Sequence, residues 1–118
     1  MITGAHALVH VKDAERVRTF FRDILKFPPV DAGHGWLIFA LPPAELGVHP
    51  TEGESFTELY LMCDDLETTM KDWKSRGVEF IGAPREENWG RLATFQVPGG
   101  TPMRIYQPKH PVALGRWR

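Results

Sequence analysis

The chain lacks several features that would assign it to a class of function. Its 118 residues include one cysteine, carry a net charge of −1 and contain no apolar run as long as a transmembrane helix. A single cysteine excludes an internal disulfide framework, so we expect a reducing, cytoplasmic location. Without a basic excess there is no electrostatic footprint for nucleic acid or an anionic membrane. The segment MITGAHALVHV also lacks the regions typical of a signal peptide.

The composition is that of an ordinary globular protein, with 42% hydrophobic and 25% charged residues. These values argue against disorder and predict a single domain, spanning residues 1–118, with a core of its own. Cys63 lies in the apolar run LYLMC, and we interpret it as a small buried hydrophobic residue rather than a nucleophile.

An internal repeat organises the chain. The segments His6–Val30 and Glu58–Gly82 align at a constant offset of 52 residues. Each begins with a six-residue apolar-rich run and continues with an acidic residue and a helical pattern. We expect Asp13 to cap the first helix, and Gly77 to end the second one in a left-handed conformation.

Short strand-like runs follow each predicted helix and are separated by turn residues. They cover residues 29–32, 36–41 and 45–49 in the first half, and residues 78–83, 91–97 and 103–107 in the second. The predicted order is β-α-β-β-β, twice, which is an α+β fold. The first module spans about 4–50 and the second about 56–107, and a loosely attached C-terminal tail spans 108–118.

Alternation along the strands separates two kinds of face. In residues 103–107, for example, Ile105 lies on an aliphatic face and Arg104 and Tyr106 on the other. Such mixed faces of ionisable and aromatic groups are typical of a partly enclosed pocket. Candidate residues for lining an apolar ligand are Tyr60, Met62, Trp89 and Tyr106, although the same side chains could simply fill the concavity of the sheet.

Three stretches resemble the vicinal oxygen chelate superfamily, which includes glyoxalase I, bleomycin-resistance proteins, extradiol dioxygenases and fosfomycin-resistance enzymes. They are HALVHVKD, ELYLMCDDLETTMKDWKSRGVEF and NWGRLATFQVPGGTPMRIYQP. The resemblance implies two paired modules that form a curled mixed sheet, with a cup-shaped cavity and helices on the outside. It also implies a homodimer, in some members with swapped modules.

The resemblance places a metal site at four strand positions, occupied here by His6, Glu45, Glu58 and Arg104. One histidine and two carboxylates suit a divalent Mn, Fe, Ni or Zn ion. Arg104 departs from the family pattern, because a guanidinium cannot ligate a metal. We expect it to pair with Glu45 or Glu58 instead. His10 lies about 13 Å along the strand from His6, too far to share an ion, and we place it at the pocket wall.

The favoured function is binding of a small oxygenated or aromatic molecule in the cup, with a degenerate metal site. One alternative is a divalent-metal lyase or dioxygenase that uses His6, Glu45 and Glu58. Another is a non-catalytic, bleomycin-resistance-like sequestering protein. In a third, Arg104 clamps a substrate carboxylate or phosphate while Glu58 or His6 acts as general base. The sequence leaves open whether the chain is an enzyme.

Overall fold

The computed structural model of the chain describes residues 6–45, 47–48 and 50–114. In these residues, two helices, a short π-helical segment and six strands follow one another. They are α1 (Ala14–Thr19), the π-helical segment Phe20–Ile24, β1 (Pro29–Asp31), β2 (Leu37–Phe39), β3 (Tyr60–Met62), α2 (Leu66–Ser75), β4 (Phe80–Glu87), β5 (Gly90–Phe95) and β6 (Met103–Pro108). The predicted α+β class is confirmed.

The strands form two sheets. β1 and β2 make an antiparallel hairpin, and the other four strands make one mixed sheet in the order β3-β6-β5-β4. β6 runs parallel to β3 and antiparallel to β5. The second module therefore has the predicted β-α-β-β-β order, with its last strand inserted beside its first.

Local signals define the helix ends as the sequence predicts. The Asp13 carboxylate accepts a hydrogen bond from the Arg16 amide at 3.1 Å, and the Asp65 carboxylate caps α2 by accepting one from Thr68 at 3.3 Å. Gly77 ends α2 with a φ of +90°, a conformation that glycine adopts without a Cβ clash. Within the described residues, no helix combines the length and apolarity needed to span a bilayer.

The core lies between the helices and one side of the four-stranded sheet. Leu66 of α2 and Phe95 of β5 are fully buried, and Ile105 of β6 is 2% exposed. Val17 of α1 and Phe20 of the π-helical segment join the same cluster. The predicted aliphatic face of β6 is thus confirmed, and burying it against the helices leaves the opposite side of the sheet without a helical cover.

Two predicted strands of the first module are absent from the described structure. Residues 6–11 form no strand, and neither do the described residues of 45–49. Leu8 is 70% exposed and Val48 is 87% exposed. Alternation favours a strand but supplies no neighbour, and an unpaired strand cannot satisfy its backbone hydrogen bonds. In the described residues, the first module keeps a helix and the β1–β2 hairpin.

The boundary of β4 also differs from the prediction. The sequence predicts a strand that ends at Ala83 and a turn from Pro84 to Gly90, but β4 continues to Glu87. Pro84 lies in an irregularity of the register, since Ile81 pairs with Thr94 and the next pair joins Arg85 to Leu92. Proline is tolerated here because β4 is an edge strand and the proline sits in a bulge.

The described part of the segment that was predicted to be a loosely attached tail makes two long-range hydrogen bonds. The Lys109 amide donates a hydrogen bond to the Trp89 carbonyl at 2.9 Å, and the Ala113 amide donates one to Glu45 Oε1 at 2.7 Å. These partners are distant in sequence from the tail, so the local pattern of the tail gives no sign of them. They join the described part of the tail to the β4–β5 turn and to Glu45.

Candidate functional site

The side of the four-stranded sheet away from the helices, here called the open face, collects the polar and aromatic residues of its strands. In the parallel pair, Tyr60 lies beside Arg104 and Met62 lies beside Tyr106. In the antiparallel pair, Leu92 of β5 lies on the other side of Tyr106. Leu92 and Tyr106 are 2% and 9% exposed, although they lie outside the helix-side core. The open face is therefore partly enclosed.

Arg104 is held in place by two neighbours on this face. Its Nη1 lies 2.9 Å from Glu58 Oε2 and 3.4 Å from the Tyr60 hydroxyl. Its guanidinium carbon lies 5.8 Å from the centre of the Tyr60 ring, within range of a cation–π contact. The predicted ion pair is present, and its partner is Glu58 rather than Glu45.

Three aromatic side chains, Tyr60, Trp89 and Tyr106, form what we call the aromatic cluster. Their ring centres lie 5.3 to 6.2 Å apart, and each pair meets edge to face, at interplanar angles of 75° to 87°. The Tyr106 hydroxyl lies 3.1 Å from His110 Nε2, so the tail supplies a fourth ring next to the cluster. Trp89 belongs to the β4–β5 turn, which brings it across to the two tyrosines.

Both tyrosines of the aromatic cluster are held in their neutral form. Burial raises the pKa of Tyr60, and the nearby Glu58 carboxylate raises it further. Burial also raises the pKa of Tyr106, with smaller contributions from Glu45 and Tyr60. At neutral pH both phenols remain protonated, so each keeps a hydroxyl next to an apolar ring, with neighbours already within hydrogen-bond distance at Arg104 and His110.

A cavity of about 360 Å³, here called the front cavity, opens beside Arg104. Its described lining comes from three segments, 8–10, 57–60 and 100–104, together with Phe21 and Val97. His10, Glu58 and Tyr60 contribute ionisable or polar groups, while Leu8 is among its apolar residues. The volume suits a small organic molecule, and a mixed lining is typical of ligand pockets.

The described structure does not assemble the metal-ligand set implied by the resemblance. His6 is exposed and is not among the described residues that line the front cavity. Glu45 accepts a hydrogen bond from the tail, and Glu58 pairs with Arg104. In the part of the chain that is described, no group of three or more His, Cys, Asp or Glu residues is placed to hold a metal ion. His49, which the alternation of residues 45–49 places on the same face as Glu45, lies outside the described residues.

Two residues of the open face were not predicted from the sequence. His110 was assigned to the solvated tail, and its contact with Tyr106 depends on how the tail folds back. Arg85 was assigned to a turn, and it lines a second cavity only because β4 continues through a bulge. The local sequence carries no signal for either contact, since the first depends on the path of the tail and the second on the register of β4.

Comparison with known proteins places this architecture in a family. A family model described as the Glyoxalase/Bleomycin resistance protein/Dioxygenase superfamily matches residues 4–105. The protein YetH of Bacillus subtilis (strain 168) is 27% identical, and the match covers 78% of this chain and 87% of YetH.

Two solved structures from Streptomyces sp. CB03234 are also similar. TnmS3, an antibiotic binding protein, is 28% identical with a TM-score of 0.66, covering 92% of this chain and 99% of its own. A glyoxalase/bleomycin resistance protein is 29% identical with a TM-score of 0.57, and the match covers 84% of this chain and 95% of that protein's chain. Because the family model spans most of its length, this chain belongs to the Glyoxalase/Bleomycin resistance protein/Dioxygenase superfamily.

Proposed function

We propose that the open face binds a small aromatic or oxygenated molecule and that this binding requires no resident metal ion. The observation that carries the proposal is the Arg104–Glu58 ion pair at 2.9 Å, next to the aromatic cluster. The family hosts many chemistries on one fold, so the argument rests on these side chains rather than on membership.

The aromatic cluster supplies the apolar part of the proposed site. Rings that meet edge to face offer further ring surface to a planar ligand, and such aromatic contacts contribute about 0.5–1.5 kcal/mol each beyond the burial of area. The hydroxyls of Tyr60 and Tyr106 stay protonated at neutral pH, and a ligand oxygen that displaced their present neighbours could take their hydrogen bonds. This combination favours a flat molecule with oxygen substituents.

The position of Arg104 argues against a divalent ion beside Glu58. A guanidinium about 4 Å from a divalent cation would repel it by about 8 kcal/mol at an effective dielectric constant of about 20. Glu58 is already paired with that guanidinium. A metal-dependent lyase or dioxygenase would also need His6 and Glu45 beside Glu58, and the described geometry does not provide this arrangement. Sequestration without catalysis fits these residues better, and TnmS3 is an antibiotic binding protein of similar sequence.

The proposal is tested by comparing two tryptophan variants. Trp89→Ala removes one ring of the aromatic cluster, whereas Trp36→Ala removes a ring that is 66% exposed and lies in a turn before β2. Against a panel of hydroxylated and quinone aromatics, we expect Trp89→Ala to weaken binding about fivefold or more, because an aromatic contact is worth about 1 kcal/mol. Trp36→Ala should leave the affinity unchanged. Isothermal titration calorimetry gives both values.

The same titrations, repeated after dialysis against a chelator, should give the same affinity as before. Two results would contradict the proposal. One is a loss of binding on chelation that is restored by Mn, Fe, Ni or Zn, which would favour the metal-dependent alternative. The other is an equal loss in both tryptophan variants, which would remove the aromatic cluster from the site.

We also infer that two copies of the chain associate through their first modules. Leu8, Val30 and Val48 are each more than 60% exposed, and all three lie in the first module. Apolar exposure of this extent in one region is typical of an interaction surface. Among the described strands, β3 is an edge of its sheet and can accept a further strand.

A further inference from the structure

A bulge in β4 creates a second cavity on the open face. Ile81 pairs with Thr94 and Arg85 pairs with Leu92, so three residues of β4, 82–84, oppose the single residue Ala93 of β5. Gly82 has a φ of +71°, which a residue with a side chain rarely adopts. The strand bends where it carries these extra residues, as bulged strands do.

The resulting hollow, here called the bulge cavity, has a volume of about 330 Å³. Ile81 and Leu92 give it apolar walls, and Thr94 gives it a hydroxyl. Arg104 is the single residue common to the described linings of the bulge cavity and the front cavity. The two cavities therefore share Arg104 as a lining residue.

The charges around the bulge cavity are of one sign. Arg85 and Arg104 both line it, and no Asp or Glu stands among the described residues of its lining. The carboxylates that these arginines contact lie elsewhere. Arg85 is 3.7 Å from Glu87, and Arg104 is paired with Glu58, which lines the front cavity.

Two arginines line this hollow, and each guanidinium has five N–H donors, so it can contact an anion in addition to its carboxylate neighbour. The planar fork of an arginine matches the oxygens of a carboxylate or a phosphate. The Thr94 hydroxyl can add a further donor, and Ile81 and Leu92 suit a small apolar body attached to the anion. The lining thus combines donors for an oxyanion with walls for an organic group.

We propose that the bulge cavity binds the oxyanion of a small organic acid, a carboxylate or phosphate held between Arg85 and Arg104. This proposal deepens the function proposed above and rests on it in one respect: the ligand that contacts the aromatic cluster carries an acidic group, which lies on the bulge side of Arg104. Glu58 and the oxyanion then occupy opposite sides of the same guanidinium. We infer that the ligand is an acid because Arg85 gives the bulge cavity a second arginine, and Arg85 does not line the front cavity.

The test titrates the isotope-labelled full chain with three probes: benzoate, its neutral isostere benzamide, and inorganic phosphate. Ionic strength is held constant, because salt screens exposed charges. We expect benzoate to shift the amide signals of Gly82, Ala83 and Thr94 saturably, and benzamide to bind at least about fivefold more weakly. Phosphate shows whether the oxyanion suffices without an organic body, and benzoate shows whether a carboxylate is accepted.

Arg85→Gln provides the decisive variant, and Arg91→Gln provides the matched control. Both remove one arginine from the same sheet, but Arg91 pairs with Glu67 and Glu86 and does not line the bulge cavity. We expect Arg85→Gln to weaken oxyanion binding about fivefold, which corresponds to about 1 kcal/mol for a partly exposed charged contact. Arg91→Gln should leave the affinity within about twofold of the wild-type value.

Three results would overturn the proposal: benzamide binding as tightly as benzoate, an unchanged affinity in Arg85→Gln, or an equal loss in Arg91→Gln. Absence of any binding by both benzoate and phosphate would overturn it as well. These failures are distinguishable from failure of the proposed function. If oxyanion binding fails but uncharged aromatics still bind in a way that depends on Trp89, the proposed function stands and the oxyanion proposal does not. If the protein binds an oxyanion in a way that depends on Arg85 but binds no uncharged aromatics, the oxyanion site between Arg85 and Arg104 stands and the aromatic site does not.

Discussion

Arg104 illustrates how one side chain determines the chemistry of a whole face. Its guanidinium contacts Glu58 and the Tyr60 hydroxyl, and it borders both cavities. A lysine at this position would keep the charge but lose the planar fork of five N–H donors that matches an oxyanion. The residue that departs from the family's metal pattern is therefore the one that connects the two parts of the proposed site.

Two neutral phenols on the open face predict a loss of stability in alkali. The pKa values of Tyr60 and Tyr106 are raised above the ordinary 10.0, so the folded chain binds protons that the unfolded chain has already released. This contribution is fully present below the unfolded pKa of about 10 and is lost as the pH rises above it. We expect the free energy of unfolding in urea to fall between about pH 9 and pH 11.

The Tyr60→Phe/Tyr106→Phe variant isolates this effect, since phenylalanine does not titrate. Burial also raises the pKa of Cys63 above its ordinary 9.0, which lowers stability in alkali in the same direction. Both chains are therefore compared with Cys63 replaced by alanine. Between about pH 9 and pH 11, the free energy of unfolding should fall less in the double variant than in the chain that keeps both tyrosines. An identical loss in the two chains would show that these phenols do not contribute.

At the scale of elements, the helices were easier to predict than the strands. The cap at Asp13 and the left-handed end at Gly77 depend on residues a few positions away, which the sequence displays directly. Residues 6–11 show clear alternation, but a strand needs a neighbour, and the described chain gives them none. Pro84 was interpreted as a strand end because its tolerance depends on β4 being a bulged edge.

The candidate site was predictable to the same degree. The faces of β6 and the Arg104–Glu58 pair follow from alternation and from opposite charge. The separation of His6 from Glu58, the approach of His110 to Tyr106 and the position of Arg85 depend on tertiary contacts. Periodicity shows which way a side chain points, whereas pairing decides what it meets.

The α2 cap gives an element-scale prediction. Asp65 accepts a hydrogen bond from the Thr68 amide, and its neighbour Asp64 makes no such cap. We expect Asp65→Ala to lower the free energy of unfolding by about 1 kcal/mol, because an amide of the first turn loses its partner. Asp64→Ala should change it by less than about 0.5 kcal/mol. Urea denaturation at neutral pH provides the comparison, and equal effects of the two substitutions would contradict this assignment of the cap.

At the scale of the whole molecule, the chain is more extended than its length requires. Its radius of gyration is 15.3 Å, whereas about 13.5 Å is typical of a compact domain of this size. The excess matches the apolar exposure of the first module, where Leu8 and Val30 are each about 70% exposed. A second copy that covers these residues would bury this surface.

We therefore expect a dimer in solution that depends on the first module. Light scattering after size exclusion should give twice the chain mass of 13.4 kDa. The Leu8→Lys/Val30→Lys variant should shift the mass toward the monomer, because association would bury two charges without partners. Val112→Lys changes an apolar residue of the tail that is 43% exposed, and it should leave the dimer intact. A wild-type monomer at every concentration would contradict the inference.

The parallel pairing of β3 with β6 has a consequence for how the chain acquires its site. Tyr60 of β3 and Arg104 of β6 are 44 positions apart in the chain. β6 lies between β3 and β5 in the sheet. Closing a loop of this length costs entropy before any contact compensates for it, which slows folding. During synthesis, helix α2 and the β4–β5 hairpin can form as the chain emerges. The open face forms only when β6 is present. A chain interrupted before Met103 would lack Arg104 and Tyr106, and with them the proposed binding surface.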